Sequence, residues 1–272
     1  MGARDERGYH PIDTLFAQLD LADQLWIEPA ARWELTVSGP FASDLSAEVN
    51  SIDRAQAGLE ALGVAWPSGW RVHLVKEIPV AAGLGGGSMD AAAWLRFAGE
   101  VAAATRPHLA RLAESLGADV PFGLAGGLAR GRGYGQQLAP VEAPGLGSRL
   151  VVLANPGHPV ATRDVYQAVD ALQLAGRGAN LDELVGALAA GAWQLEWENG
   201  LEPAAWAVAP WLRDFAQALQ GFSHRRWWLS GSGGTYFTVC ADEEEATWLA
   251  ARINRVEVAW SRVARFHLPP GR

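Results

Sequence analysis

Residues 79–93 read PVAAGLGGGSMDAAA. Glycines at 83, 85, 86 and 87 let a backbone come close to a ligand and turn successive N–H groups inward. The positive end of a following helix favours an anion in such a cradle. The Ala-rich run over 90–104 has the propensity to be that helix, with Ser88 as its cap. Upstream, WRVHLV at 70–75 has the β-branched and aromatic content of a strand. Strand, glycine loop and helix in this order read as a phosphate cradle. The plain alternative is a flexible turn, which an arbitrary glycine cluster fits equally well. The loop lacks the Gly-Lys-Ser/Thr ending of a Walker sequence and is not G-x-G-x-x-G, so neither an ordinary P-loop nor dinucleotide binding fits.

Upstream of the loop the chain is β-rich. Residues 14–28 alternate loosely, and 33–37 and 70–75 read as short strands. Between them Val49, Ile52, Ala55, Leu59 and Leu62 recur at helical spacing, which predicts a helix over 46–62 stopped by Gly63. Downstream, Pro107 opens a predicted helix over 107–116 that ends at Gly117. Asp119-Val120-Pro121-Phe122 follows at once. The run EAPGLGS at 142–148 has a linker's composition, which divides the chain into domains 1–147 and 148–272. Beyond it a buried-type strand is expected over 149–154, helices near 164–172, 181–190, 211–220 and 243–253, a strand near 226–229, and a final strand. Helices mixed with antiparallel returns predict an α+β fold in two lobes.

Composition narrows the function. The 272 residues carry 22 basic and 30 acidic side chains, a net charge of −8, with no Lys/Arg cluster of the kind a nucleic-acid backbone demands. Nucleic acid is excluded as a partner. One cysteine, no leader-like start and no apolar run of bilayer length predict a cytoplasmic protein without a membrane partner. The histidines show no ligand spacing, so no metal-binding side chains are assigned. Lys76 is the only lysine among the 22 basic residues.

The stretch Gly83-Leu84-Gly85-Gly86-Gly87-Ser88-x-Asp90-Ala91-Ala92, with Pro79 ahead of it, resembles the phosphate loop of the GHMP kinase superfamily. Within it, the doubled glycine and trailing Ser-x-Asp-Ala-Ala are similar to the 4-diphosphocytidyl-2-C-methyl-D-erythritol kinases. Other segments agree in order: Gly8-Tyr9-His10 with Thr14-Leu15-Phe16, LGADVPF at 116–122, Asn199 with Leu201-Glu202, and Ser230-Gly231-Ser232-Gly233. The likeness runs over nearly the whole chain.

The resemblance implies a two-lobed GHMP kinase fold, with the phosphate loop in the N-terminal lobe and a ferredoxin-like C-terminal lobe. It implies ATP and Mg²⁺ as cofactors and a small-molecule partner, phosphorylated on the 2-hydroxyl of its cytidine-diphosphate-linked methylerythritol. A monomer or weak homodimer is expected. Asp119 would accept or orient the hydroxyl proton; without the resemblance it reads as a turn residue that caps the segment after it. Gly83, Leu84, Gly85, Gly86, Gly87 and Ser88 would hold phosphates, and Asn50 and Lys76 would border the adenine. Asp90 reads as helix support or an indirect metal contact. Tyr9 would stack on cytosine and His10 read its edge, with Tyr166 on the other face and Thr162 nearby. Gly231, Ser232 and Gly233 form either a second anion-binding turn facing the substrate or a tight β-connection.

The family also carries an Ala-Lys-x-Asn strand ahead of Gly-Tyr-His, whereas this sequence opens at Met1-Gly-Ala-Arg-Asp-Glu-Arg-Gly-Tyr9. Lacking that cation beside Asp119 implies a chain that binds nucleotide but transfers phosphate slowly or not at all, and lacking the strand implies an unpaired sheet edge and an apolar groove. Gln136, Gly234 and Tyr236 are smaller departures. Two rivals remain open: another alcohol kinase of the superfamily, acting on homoserine or a mevalonate-like acid, and a catalytically silent nucleotide-binding protein.

Overall fold

A computed structural model describes residues 1–45, 50–67, 69–176, 180–223, 225–253 and 260–268. In chain order its strands are β1 (Ile12–Ala17), β2 (Gln24–Pro29), β3 (Glu34–Ser38), β4 (Trp70–Val75), β5 (Leu128–Gly133), β6 (Gln137–Pro140), β7 (Leu150–Asn155), β8 (Trp228–Leu229), β9 (Tyr236–Cys240) and β10 (Trp260–Arg265). The α-helices are α1 (Ser51–Ala61), α2 (Gly86–Val101), α3 (Leu109–Leu116), α4 (Val120–Ala125), α5 (Thr162–Ala171), α6 (Leu181–Ala189), α7 (Glu202–Val208), α8 (Trp211–Ser223) and α9 (Glu243–Ile253). They form two compact units. The first comprises Met1–Asp20, Ala81–Leu84 and Gly127–Arg272; the second comprises Leu21–Val80 and Gly85–Gly126.

In the second unit β4 is central, antiparallel to β2 and parallel to β3. Its alternation dictates its faces: Trp70, Val72 and Leu74 are buried, while Arg71 is exposed. The buried face packs on Ile52, Ala55 and Leu59 of α1 and on Trp94, Leu95 and Ala98 of α2. Tryptophan is core material here. Trp94 lies within ring contact of Trp33, Trp66, Trp70 and Phe97, and its indole N–H donates to Gln56 Oε1 at 3.2 Å.

The first unit holds two antiparallel sheets, ordered β1-β5-β6 and β10-β7-β9-β8. All six residues of β7 are buried, as a strand covered on both faces requires. Leu150, Val152 and Ala154 share a core with Val165 and Val169 of α5, Leu212 of α8 and Leu249 of α9. The linker-like 142–148 stretch lies within this unit, and its Ala143 and Leu146 are buried. Among the described residues β1 pairs with β5 and stands at one end of its sheet.

Three local expectations change. The 14–28 alternation is two strands, β1 and β2, which belong to different units. The helix expected over 46–62 runs from Ser51 to Ala61, and residues 46–49 lie outside the described residues. The loop helix starts at Gly86 instead of 90. Among the described residues no helix is long and apolar enough to cross a membrane.

Candidate active site

In the second unit, Gly85 adopts φ 68°, the left-handed conformation open to glycine, and is itself the N-cap of α2. Ser88 therefore lies in the first turn and is not the cap it was expected to be. Gly85 has no side chain to cap this helix end, so the N–H groups of Gly86, Gly87 and Ser88, which have no intrahelical acceptor, point outward with the positive end of the helix dipole. A Cβ on Gly87 would stand 3.6 Å from Ser51 Oγ, which sets the start of α1 beside the loop. Asn50 caps that helix, its Oδ1 accepting from Ile52 N at 2.9 Å.

Asp119 occupies the N-cap position of α4 but makes no capping bond. No hydrogen bond or ion pair reaches its carboxylate among the described residues. Burial pushes its pKa above the ordinary carboxylate value. Helix α4 packs tightly on the loop helix: a Cβ on Gly123 would lie 2.5 Å from Ala92 Cβ and 3.0 Å from Met89 Cε. Glycine at 123 thus brings the helix that carries Asp119 against the opening turns of α2.

Lys76, expected to border the adenine, follows β4 directly. Its side chain is buried, and its ammonium pairs with Asp23 and, at 3.1 Å, with Asp90. Asp90 thus faces inward onto Lys76. Desolvation pushes its carboxyl up to about 7, outweighing Lys76 because that ammonium is shared with Asp23. Folding therefore favours protonated Asp90. Its contribution to stability is complete below the ordinary value of 3.8 and is lost as pH rises through about 7. The melting temperature should fall by several degrees between about pH 5 and about pH 8, and Asp90→Asn should flatten that fall, as measured by thermal denaturation. An unchanged pH slope in the variant would refute this.

The first unit gathers the residues expected to read a base. The Tyr9 ring is exposed and lies 5.6 Å from that of Tyr134. The buried His10 ring lies 5.9 Å from Tyr166 in a stacked arrangement, so Tyr166 covers His10. His10 Nδ1 lies 3.0 Å from the Gly2 carbonyl and Nε2 lies 3.2 Å from Asp170 Oδ1. Thr162, Tyr166 and Asp170 recur every fourth residue along α5 and share one face. Thr162 Oγ1 meets Ser232 Oγ at 2.8 Å, joining two expected substrate residues. The Gly231 and Gly233 backbones both have positive φ, and this turn seats Gly83: Ser230 Oγ donates to the Gly83 carbonyl at 2.9 Å. Tyr236 is accommodated by Trp206, whose indole N–H donates to its hydroxyl at 2.8 Å. Gln136 accepts from Tyr134 N at 2.7 Å.

Asp23, Tyr134 and Asp170 were not singled out from the sequence. The four-residue spacing from Tyr166 was a usable signal for Asp170; Asp23 lies 53 positions from Lys76 and had none.

The family profile described as GHMP kinases N terminal domain matches residues 50–128. A 4-diphosphocytidyl-2-C-methyl-D-erythritol kinase of Methylobacterium radiotolerans is 37% identical over 96% of this chain and 91% of its own length. One of Deinococcus radiodurans is 36% identical over 99% of this chain and 89% of its own. A crystal structure of 4-(cytidine 5'-diphospho)-2C-methyl-D-erythritol kinase superposes with a TM-score of 0.77 at 35% identity, covering 96% of this chain and 93% of that one. Homoserine kinase from Cytophaga hutchinsonii, 19% identical, shares the fold with a TM-score of 0.67 over 92% of this chain and 88% of its own.

Proposed function

We infer the reaction from a plain premise: the chain belongs to the 4-diphosphocytidyl-2-C-methyl-D-erythritol kinases, within the GHMP kinase superfamily. It is an ATP-dependent small-molecule kinase. We propose that it transfers the γ-phosphoryl group of ATP to the 2-hydroxyl of 4-diphosphocytidyl-2-C-methyl-D-erythritol. The observation that carries the chemical assignment is Asp119: a partly buried carboxylate without a partner among the described residues, at the start of a helix packed against the helix of the glycine loop.

Phosphoryl transfer asks little covalent chemistry of a protein and much positioning. The substrate oxygen attacks the γ-phosphorus, the bond to the β–γ bridging oxygen breaks, and ADP leaves with that electron pair. The hydroxyl proton passes to ionised Asp119, whose raised pKa makes it a stronger acceptor than an exposed aspartate. The N–H groups of Gly86, Gly87 and Ser88 hold phosphate oxygens. ATP is taken as its Mg²⁺ complex. Among the described residues no three His, Cys, Asp or Glu side chains gather into a metal site, and Mg²⁺ bound mainly by phosphate oxygens and water needs no such cage. Tyr9, His10, Thr162, Tyr166 and the Gly231–Gly233 turn are proposed to select the cytidine diphosphate moiety.

The test is phosphorus NMR with mass spectrometry of the reaction mixture. ADP should form only when the cytidine-linked alcohol is present, and that alcohol should gain one phosphoryl group. Equal ADP release without it, or preferred phosphorylation of homoserine or mevalonate, would overturn the reading.

A further inference from the structure

Behind Gly86, the first residue of α2, lies the chain's only lysine. A Cβ on Gly86 would stand 3.0 Å from Lys76 Nζ and 3.1 Å from Ile78 Cγ2. Only a bare peptide backbone therefore separates this ammonium from the outward-facing N–H groups of the loop. The Lys76, Asp23 and Asp90 side chains are 3%, 2% and 6% exposed, so the cluster is shut off from solvent.

The two carboxylates are not equivalent. Asp90 holds the ammonium at 3.1 Å. Asp23 holds it through Oδ2, and its Oδ1 accepts from two consecutive backbone N–H groups, Glu77 at 2.6 Å and Ile78 at 2.9 Å. One carboxylate thus fixes both the lysine head group and the chain just after β4. The same segment is pinned from its other side: Lys76 N donates to Ser38 O at 2.7 Å, and a Cβ on Gly39 would lie 2.6 Å from Lys76 O.

Burying an unpaired charge costs several kcal/mol, and a buried ion pair is seldom the most stable way to fill a core. A cluster of two carboxylates and one ammonium is therefore a poor device for stability alone. It is a good device for holding three separate stretches of chain, at Asp23, at 76–78 and at Asp90, in one fixed arrangement.

We propose that Asp23 is a positioning residue for nucleotide binding: through Lys76 and Asp90, and through the N–H groups of residues 77–78, it ties the chain after β4 to the first turns of α2, so that Gly86 and its neighbours keep the placement in which their N–H groups meet the nucleotide's phosphates. The proposal rests on reading Gly86 to Ser88 as the ATP cradle.

Asp23→Asn keeps an acceptor for the two N–H groups, removes the charge and turns an amide toward the ammonium. The expected result is a KM for ATP raised about tenfold or more, with kcat and the KM for the alcohol within about twofold of wild type. Calorimetry with ADP should show the same loss. The double variant Asp23→Asn/Lys76→Met removes the ammonium and one of its two acids; Asp90, which burial already pushes toward its protonated form, is then left neutral, so the variant should stay folded. Its KM for ATP should remain high; a purely structural role would restore it. An Asp23→Asn enzyme with unchanged KM for ATP, one in which both KM values rise together, or a double variant that regains normal ATP affinity or fails to fold would each overturn the proposal. Wild type that does not consume ATP would overturn the kinase reading along with it, whereas an active wild type with indifferent variants would overturn this inference alone.

Discussion

Asp119→Asn is expected to lower kcat about 10²- to 10⁴-fold, the range that a lost general base commands, with the KM for ATP nearly unchanged. The substitution is close to isosteric and removes only the ability to take the hydroxyl proton. The structure adds a second expectation that separates a chemical role from a structural one. The wild-type carboxylate is desolvated and has no hydrogen-bond partner among the described residues. A neutral amide in its place should leave the melting temperature unchanged or raise it, as happens where activity demands a destabilised group. The wild-type pH profile of kcat/KM should lose activity as pH falls through a value above the ordinary carboxylate range, because only ionised Asp119 accepts the proton. A variant that is both unstable and active would contradict the assignment.

Gly83→Ala is expected to have the second large effect, this time on folding and activity together. Gly83 adopts φ 75°, where an L side chain is strained. A Cβ there would run into the Ser230 carbonyl oxygen and stand 2.8 Å from the Gly233 carbonyl oxygen. Both obstacles are backbone, so neither can step aside by changing rotamer. The seam they belong to includes the hydrogen bonds from Ser230 Oγ to Gly83 O at 2.9 Å and from Thr235 N to Ala82 O at 3.0 Å. Strain and overpacking together should destabilise the protein by about 3–5 kcal/mol and abolish measurable nucleotide binding, as read by thermal denaturation and calorimetry. Gly63→Ala is the control, since Gly63 also has positive φ but, among the described residues beyond its chain neighbours, no atom within 4 Å of the added methyl; it should show the cost of backbone strain alone. Equal losses at the two positions would refute the argument from the seam.

What the sequence disclosed depended on how far apart the interacting residues are. Strand β4 was legible to the residue because its two faces alternate in the chain itself, and α9 because its period is unbroken between Glu243 and Ile253. The start of α2 was misread because a serine followed by an Ala-rich run looks like a cap, whereas a left-handed glycine at 85 performs that turn with its backbone alone. The 14–28 alternation ran through a break at Asp20 that only tertiary partners reveal: Asp20 accepts from the Arg265 backbone, 245 positions away. Lys76 drew notice by its rarity, but its direction could not be read, because both acids that claim it are remote in sequence. Tyr9, His10, Thr162 and Tyr166 were located by motif. That Tyr166 would cover His10 came only from the register of α5 against the loop ahead of β1.

The way the chain threads its two compact bodies bears on how the molecule can be dissected. The boundaries at 20/21, 80/81, 84/85 and 126/127 interleave them, with only the four residues Ala81–Leu84 inserted into one arm of the second. Parting the bodies takes scission at all four places. A gene fragment covering 21–126 keeps every residue of the second body and carries Ala81–Leu84 along, whereas no fragment short of the whole chain holds the first, whose binding behaviour is accessible only by substitution within the intact polypeptide.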